Sequence, residues 1–99
     1  MNNVSLKISS DVSKVTGELT RQTVIQISKK SIKQLISQSR SILNLQEISH
    51  IDTAGLAWLF SVLEQANKAG CQLTFSHIPA KLTKLISLSG VDGFLPIAP

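Results

Sequence analysis

The sequence predicts a single α/β domain whose sheet is mixed and mainly parallel, with helices packed against it. Segments that alternate apolar and polar residues are separated by longer segments of helical periodicity, in the order β-β-α-β-α-β-α. The 99 residues suffice for one hydrophobic core but not for two, so residues 1–99 are expected to form one domain. Apolar residues make up 42% and charged residues 16%, which is a globular composition and not a disordered one.

The charge balance limits the class of partner. The formal net charge is +4, which permits an acidic protein, a nucleic acid or an anionic membrane surface. The basic residues are scattered, however, and the only local cluster is Lys29, Lys30 and Lys33, with no aromatic residue between them. A solvated helix face accounts for this cluster, so we expect no nucleic-acid partner.

Cysteine content and hydropathy indicate the compartment. Cys71 is the only cysteine, so no internal disulfide can form, and its apolar surroundings predict a buried side chain. The first residues lack the basic and apolar regions of a secretory signal. The longest uncharged apolar-rich run, residues 54–63, is too short to span a bilayer. We therefore expect a cytoplasmic protein that reaches a membrane only through a partner.

The first forty residues predict a hairpin followed by a helix. Residues 4–8 and 12–16 alternate as two strands, and residues 17–20 break the pattern. From about residue 21 to residue 39 the apolar period becomes helical, and Thr20 is the expected N-cap. The apolar face of this helix is expected to contain Val24, Ile25, Ile32, Leu35 and Ile36.

The segment Ile48–Leu56 has the features of a functional site. Residues 41–45 are apolar on both faces, which predicts a central strand, and residues 46–50 are the expected connection to the segment. The segment itself is interpreted as a strand, a short loop and the start of a helix. Open α/β sheets usually place their working residues where a helix begins beyond the carboxyl end of a strand.

Three residues of this segment have distinct expected roles. Asp52 carries an acceptor that can cap the helix, and Gly55 leaves room for another backbone to approach closely. Thr53 follows in the first turn, where the local field is positive, so its hydroxyl is well placed to carry or contact an anion such as a phosphate. The alternative is an ordinary capped helix with no further role.

The helix over residues 53–69 is expected to bury the stripe Leu56, Leu59, Phe60 and Leu63. Trp58 lies about 140° from the centre of that stripe at the 3.6-residue period. Small and apolar residues accompany it, so this side of the helix is a candidate contact surface. The alternative is that Trp58 covers the edge of the core beneath a loop. The neighbours of Trp58 on this side are Ala54, Val62 and Gln65.

The last third of the chain predicts a strand, a helix and a tail. Gly70 is expected to end the preceding helix, and residues 71–75 alternate as a strand. A helix then begins at residues 77–79 and ends at Gly90. Residues 91–99 contain glycine and proline and are expected to be an irregular tail packed on the body. The apolar face of the last helix is expected to be Leu82, Leu85 and Ile86.

The sequence lacks the usual signatures of catalysis. It has no glycine-rich phosphate loop, and its two histidines and one cysteine do not have metal-ligand spacing. No carboxylate pair stands out for acid–base work, and Thr53 has no recognisable orienting acid to make it a nucleophile. We therefore expect a binding or regulatory module without a metal, a cofactor or a small-molecule substrate of its own.

Two short motifs stand out: residues 17–20 (Gly-Glu-Leu-Thr) after a hairpin, and residues 51–56 (Ile-Asp-Thr-Ala-Gly-Leu) at the head of an amphipathic helix. Together they resemble the STAS family, which includes the anti-sigma factor antagonists and the STAS domains of anion transporters. The resemblance covers nearly the whole chain and implies a single STAS domain. In the antagonists a partner kinase phosphorylates the residue at the position of Thr53, so the resemblance makes Thr53 a candidate phosphorylation site.

The run from Ile51 to Leu59 is similar to the STAS subunits of Mla-type phospholipid ABC transporters. That similarity implies a cytoplasmic accessory subunit that binds the ATPase subunit, and through it the permease, of a complex that moves phospholipid between two membranes. An anti-sigma factor antagonist and a lone lipid- or nucleotide-binding domain remain as alternatives. The candidate partner-binding or regulatory residues are Asp52, Thr53, Ala54, Gly55, Trp58 and Val62.

Overall fold

A mixed sheet with helices on its buried face forms the body of the protein in a computed structural model, which describes residues 3–98. Local alternation of apolar and polar residues produces the strands, and side-chain caps start the first two α-helices. The strands are β1 (Val4–Lys7), β2 (Val12–Leu19), β3 (Arg40–Asn44), β4 (Ile48–Ile51) and β5 (Gln72–Ser76). The helices are α1 (Lys29–Ile36), α2 (Thr53–Lys68) and α3 (Ala80–Leu88), and a 3₁₀ turn spans Val24–Gln26.

The sheet is mixed and mainly parallel, as predicted. Its order is β1-β2-β3-β5, and β4 also pairs with β2. Only the β1–β2 hairpin is antiparallel among these pairs, with Leu6 opposite Val15. Strand β3 lies between β2 and β5, which confirms it as a central strand. The sheet runs from the amino-terminal hairpin to β5, and the predicted alternation of strands and helices holds.

The hydrophobic core lies between the helices and one face of the sheet. Leu43 and Phe75 on that face are fully buried, whereas Ile42 and Thr74 on the other face are only half-buried. The Ser41 hydroxyl donates to the Leu35 carbonyl at 2.7 Å, which fastens α1 to β3 on the buried side. Cys71 is also buried, as predicted. The principal core residues are Val15, Leu19, Leu35, Leu43, Leu45, Leu59, Val62, Phe75 and Leu82.

The first helix begins at Lys29, so the predicted start near residue 21 with Thr20 as N-cap is wrong. Ser28 is the N-cap, and its hydroxyl accepts from the Ser31 N–H at 3.1 Å. Ile27 has an extended backbone (φ −84°, ψ 117°), which separates the 3₁₀ turn from α1. Because of this break, Ile25 is 85% exposed and not on the core face, where the helical period had placed it.

Strand β2 continues past residue 16, where the prediction ended it, and residues 48–50 are not merely a connection. The second half of β2 pairs with β4, with Glu18 opposite His50 and Leu19 opposite Ile51. The register shifts between Gly17 and Glu18, and Gly17 has a φ of +92°, which favours glycine. This pairing brings residues some thirty positions apart together, so local periodicity could not reveal it.

The end of the chain differs little from the prediction. Helix α3 begins at Ala80, with Pro79 as N-cap, so residues 77–79 precede the helix. The tail through residue 98 is irregular, and its Leu95 is buried. The Phe75 N–H donates to the Pro96 carbonyl at 2.9 Å, so the tail packs on the edge strand β5 as expected. No helix within residues 3–98 is long and apolar enough to cross a membrane.

Candidate functional site

Asp52 caps α2 and also joins it to a distant turn. Its Oδ1 accepts from the Gly55 N–H at 2.9 Å, which is the capping bond that the sequence predicted. Its Oδ2 accepts from the Arg21 N–H at 3.0 Å. One carboxylate therefore holds both the start of α2 and the turn that follows β2.

The surroundings of Asp52 keep its carboxylate ionised. Burial alone would raise the pKa of Asp52, but hydrogen bonds from the backbone N–H groups of Arg21, Gly55, Ala54 and Asp52 itself lower it below its usual value. The resulting negative charge lies at the positive end of the α2 dipole. The hydrogen bonds of Asp52 and its charge therefore stabilise the start of α2 and fix its position.

Thr53 is the first residue of α2, and it is exposed. Asp52 precedes it and occupies the inward capping position, so the Thr53 side chain is left on the surface. Its hydroxyl makes no hydrogen bond to another residue in the described part of the chain. A docked protein or a modifying enzyme could therefore reach this hydroxyl on a rigid backbone.

Gly55 permits the close approach that the sequence predicted. It is buried, and a Cβ built on it would collide with the carbonyl oxygen of Leu19 and lie 2.9 Å from Ile51 Cγ1. The start of α2 therefore rests directly on the last residue of β2. Gly55 acts inside the domain, and it is not available for contact with a partner.

The burial of α2 corrects the predicted contact surface. Val62 is fully buried, so its predicted place beside an exposed Trp58 is wrong. Trp58 is half-buried and packs against the core, and Ala54 is also half-buried. The observed buried face is turned by about 60° from the predicted stripe, at 100° per residue. Its members are Gly55, Leu56, Leu59, Val62 and Ala66.

The other edge of the predicted stripe is open to solvent. Phe60 and Leu63 are half-buried, and with Phe94, which is 66% exposed, they line an apolar groove of about 460 Å³. The contact of Gly55 with the Leu19 carbonyl explains the rotation, because it places the smallest residue of α2 against the sheet. Helical periodicity alone could not detect which side of the helix another backbone would occupy.

The turn over residues 20–23 was missed as part of the site. Thr23 is fully buried, and its hydroxyl donates to the Glu18 carbonyl at 2.6 Å and accepts from the Thr20 N–H at 2.9 Å. These bonds fix the turn whose Arg21 N–H binds Asp52. Two threonines spaced three apart are typical of a side-chain-stabilised turn, and that spacing was the available signal.

A polar hollow of about 380 Å³ lies between this turn and the end of β4. At its edge His50 Nδ1 lies 3.3 Å from Glu18 Oε1, and Glu18 Oε2 is buried without a hydrogen-bond partner among the described residues. No group of three His, Cys, Asp or Glu residues within residues 3–98 could hold a metal ion. The hollow is lined by Glu18, Thr20, Arg21, Gln22, His50 and Asp52.

The fold is similar to that of solved anti-sigma factor antagonists. The unphosphorylated anti-sigma factor antagonist SpoIIAA matches with a TM-score of 0.69 and 17% identity, over 97% of this chain and 88% of that chain. A protein from Thermotoga maritima described as an anti-sigma factor antagonist matches with a TM-score of 0.70 and 20% identity, over 95% and 84%. The phosphorylated form of SpoIIAA, a Bacillus cell fate determinant, matches with a TM-score of 0.64 and 19% identity, over 97% and 91%. At these identities the likeness is one of fold.

The family is shown by a sequence comparison that spans almost the entire chain. Residues 3–97 match the family model described as "Mlab, STAS domain". This match includes both motifs on which the resemblance was based, together with the strands and helices around them. The chain therefore belongs to the MlaB family of STAS domains.

Proposed function

We propose that this protein is a non-catalytic accessory subunit of an ABC transporter that moves phospholipid between the inner and outer membranes and so maintains outer-membrane lipid asymmetry. It binds the ATPase subunit, and through it reaches the permease. It is therefore cytoplasmic and peripheral to the inner membrane. The family match over residues 3–97 supports this function. The observation that carries it is the exposed Thr53 hydroxyl at the fixed start of α2.

The proposed contact surface is centred on Thr53 and includes the exposed parts of Ala54 and Trp58. Asp52 and Gly55 contribute by fixing the position of α2, Asp52 through its capping bond and Gly55 through its contact with Leu19. Val62 is excluded because it is fully buried. A rigid surface of this kind suits recognition, because little conformational entropy is lost when it binds.

The proposed mechanism is allosteric. A subunit without catalytic groups can change an ATPase only by binding one of its conformations or assembly states better than another. Thr53 and its neighbours would make that differential contact. The domain brings no cofactor, nucleic acid or small-molecule substrate to the complex in this proposal, and it does not enter the membrane.

The test is affinity purification of the tagged protein from detergent-solubilised membranes of its own host. An ABC ATPase and a permease should co-purify with the wild type. Thr53→Glu should lose both, because it places a charge in the contact. The helix itself should tolerate this variant, since an acidic residue in the first turn is favourable to the helix dipole.

A matched control separates a local effect from a general effect of charge. Ser61 is exposed on the same helix two turns further along, so Ser61→Glu adds an equal charge away from the proposed contact. Ser61→Glu should retain the ATPase. Retention of the ATPase by Thr53→Glu as well would refute the proposed role of Thr53.

A second candidate function is partner switching by an anti-sigma factor antagonist. The fold likeness to SpoIIAA, whose phosphorylated form has been solved, and the exposed Thr53 hydroxyl favour it. This function requires a kinase partner and phosphorylation of Thr53. Recovery of a serine kinase without transporter chains, together with a phosphate on Thr53 by mass spectrometry, would favour it over the transporter.

A further inference from the structure

Ile25 is an apolar side chain that is exposed, although the sequence pattern placed it on the buried face of the first helix. It is 85% exposed, the largest fraction among the exposed large hydrophobic residues of the described chain. Single apolar residues are common on protein surfaces and need no explanation by themselves. Ile25 is of interest because the turn that carries it follows directly on the turn that binds Asp52.

The backbone around Ile25 is fixed on both sides. The preceding Thr23 is fully buried, with its hydroxyl bonded to the Glu18 carbonyl at 2.6 Å. Val24 and Ile27, which flank the exposed residue, are half-buried and pack against the core. The Ile27 N–H donates to the Val24 carbonyl at 3.2 Å and closes the turn. The backbone that carries Ile25 is therefore held on both sides by residues that pack against the domain.

The turn over residues 20–23, which leads into the 3₁₀ turn that contains Ile25, is bonded to the Thr53 site. The Arg21 N–H donates to Asp52 Oδ2 at 3.0 Å, and Asp52 is the cap that precedes Thr53. The 3₁₀ turn also packs against α2. The chain that leads to Ile25 therefore lies beside the start of α2, where Thr53 is exposed.

The charge that follows Ile25 is unfavourable for the isolated domain. Lys29 and Lys30 are the first two residues of α1, and its first turn contains no acidic residue. Positive charge at a helix N-terminus opposes the helix dipole. Both lysines are exposed and have no acidic partner among the described residues. Between Glu18 and Glu47 the chain has five Lys or Arg residues and no Asp or Glu.

We infer that Ile25, Lys29 and Lys30, here named the turn patch, form a second contact with the ATPase subunit, which supplies an apolar pocket bordered by carboxylates. This inference rests on the proposed function and extends its surface beyond α2. The basic residues fit an acidic border, and a firmly held isoleucine fits a pocket at low entropic cost. Residues 19–46 contain no aromatic side chain for stacking on bases, and a single exposed isoleucine is a small anchor for a membrane.

The test measures the affinity of the full chain for the ATPase subunit that co-purifies with it. Ile25→Ala should weaken binding about tenfold, as expected for an apolar side chain that fills a pocket. Leu88→Ala is the matched control, because Leu88 is 78% exposed at the far end of α3. Its affinity should equal that of the wild type.

The charge part of the turn patch has its own test. The double variant Lys29→Glu and Lys30→Glu should bind several-fold more weakly, and its affinity should fall less steeply with salt than that of the wild type. Unchanged melting temperatures would show that these variants fold normally. Equal salt dependence in the variant and the wild type would overturn the role of the two lysines.

The outcomes distinguish this inference from the proposed function. No binding of the wild-type chain to the ATPase overturns both. Loss of binding in Thr53→Glu with wild-type affinity in Ile25→Ala overturns the turn patch alone. A photo-crosslinking residue at position 25 should attach to the ATPase, whereas attachment to a second copy of this chain overturns the assignment. Binding to phosphatidylglycerol vesicles that Ile25→Ala abolishes would also overturn it, in favour of a membrane surface.

Discussion

Replacing Gly55 with alanine should destabilise the domain, although alanine favours helices. The new Cβ would collide with the Leu19 carbonyl oxygen and lie 2.9 Å from both the Leu19 carbonyl carbon and Ile51 Cγ1. The first obstacle is backbone at the end of β2, which is paired with β1 and β4 and cannot move alone. The start of α2 would therefore have to shift away from the sheet.

The free energy of unfolding should fall by about 3 kcal/mol in this variant. Alanine gains about 1 kcal/mol over glycine in a helix. Overpacking costs about 1–3 kcal/mol, and the rigid obstacle places this case at the upper end. A displaced helix start also weakens the bond between Asp52 and the Gly55 N–H, which contributes about 1 kcal/mol. For a domain of this size the melting temperature should fall by roughly 12–24 °C.

Urea denaturation followed by the fluorescence of Trp58, the only tryptophan, measures this change. Gly70→Ala is the control, because Gly70 has a φ of +75° and nothing within 4 Å of a Cβ. That variant should lose only about 1–2 kcal/mol from backbone conformation. A Gly55→Ala protein as stable as the wild type would refute the argument that close packing on Leu19 requires glycine.

Two further predictions concern the groups that hold the site together. Asp52→Ala should cost about 1–2 kcal/mol at pH 7, since one cap and one tertiary hydrogen bond are lost. Because the pKa of Asp52 is lowered from 3.8 in the folded state, its contribution is fully present above that value and is lost as the pH falls through the lower folded-state pKa. Urea midpoints at pH 7, 5 and 3 should show the difference from the wild type shrinking only at the lowest pH, and a constant difference would contradict the linkage. Thr23→Val should cost about 2 kcal/mol, because the Glu18 carbonyl and the Thr20 N–H lose their buried partner. The exposed Thr83→Val should change stability little, and an equal loss in both variants by thermal denaturation would count against the buried bonds.

The start of α2 was predictable because its determinants are local. The capping bond joins Asp52 to Gly55, three residues further along, and any chain with this spacing can form it. The start of α1 was not predictable from periodicity. The Thr23 hydroxyl bonds to the Glu18 carbonyl and stabilises a separate turn, and the extended Ile27 divides the following 3₁₀ turn from α1. The apolar residues between residues 21 and 28 have helical spacing, although the backbone there does not form an α-helix.

Which side of α2 faces the core was a second feature that the sequence pattern could not predict accurately. A hydrophobic stripe indicates that a helix has a buried side, but its exact orientation depends on what packs against it. Here the Leu19 carbonyl occupies the space above Gly55, so Val62 faces the core and Phe60 faces partly outward. The predicted contact surface therefore included Val62, which is buried, whereas Thr53 is exposed as the prediction required.

The sequence by itself determined the α/β class, the hairpin, the central strand, the capped helix at Asp52 and the family of the chain. These features depend on residues near one another in the chain, or on motifs carried in short runs. Only the tertiary structure decided that β4 pairs with β2, that Arg21 binds Asp52 and that Ile25 faces solvent. Each of these depends on contacts between distant segments, which exist only once the sheet has formed.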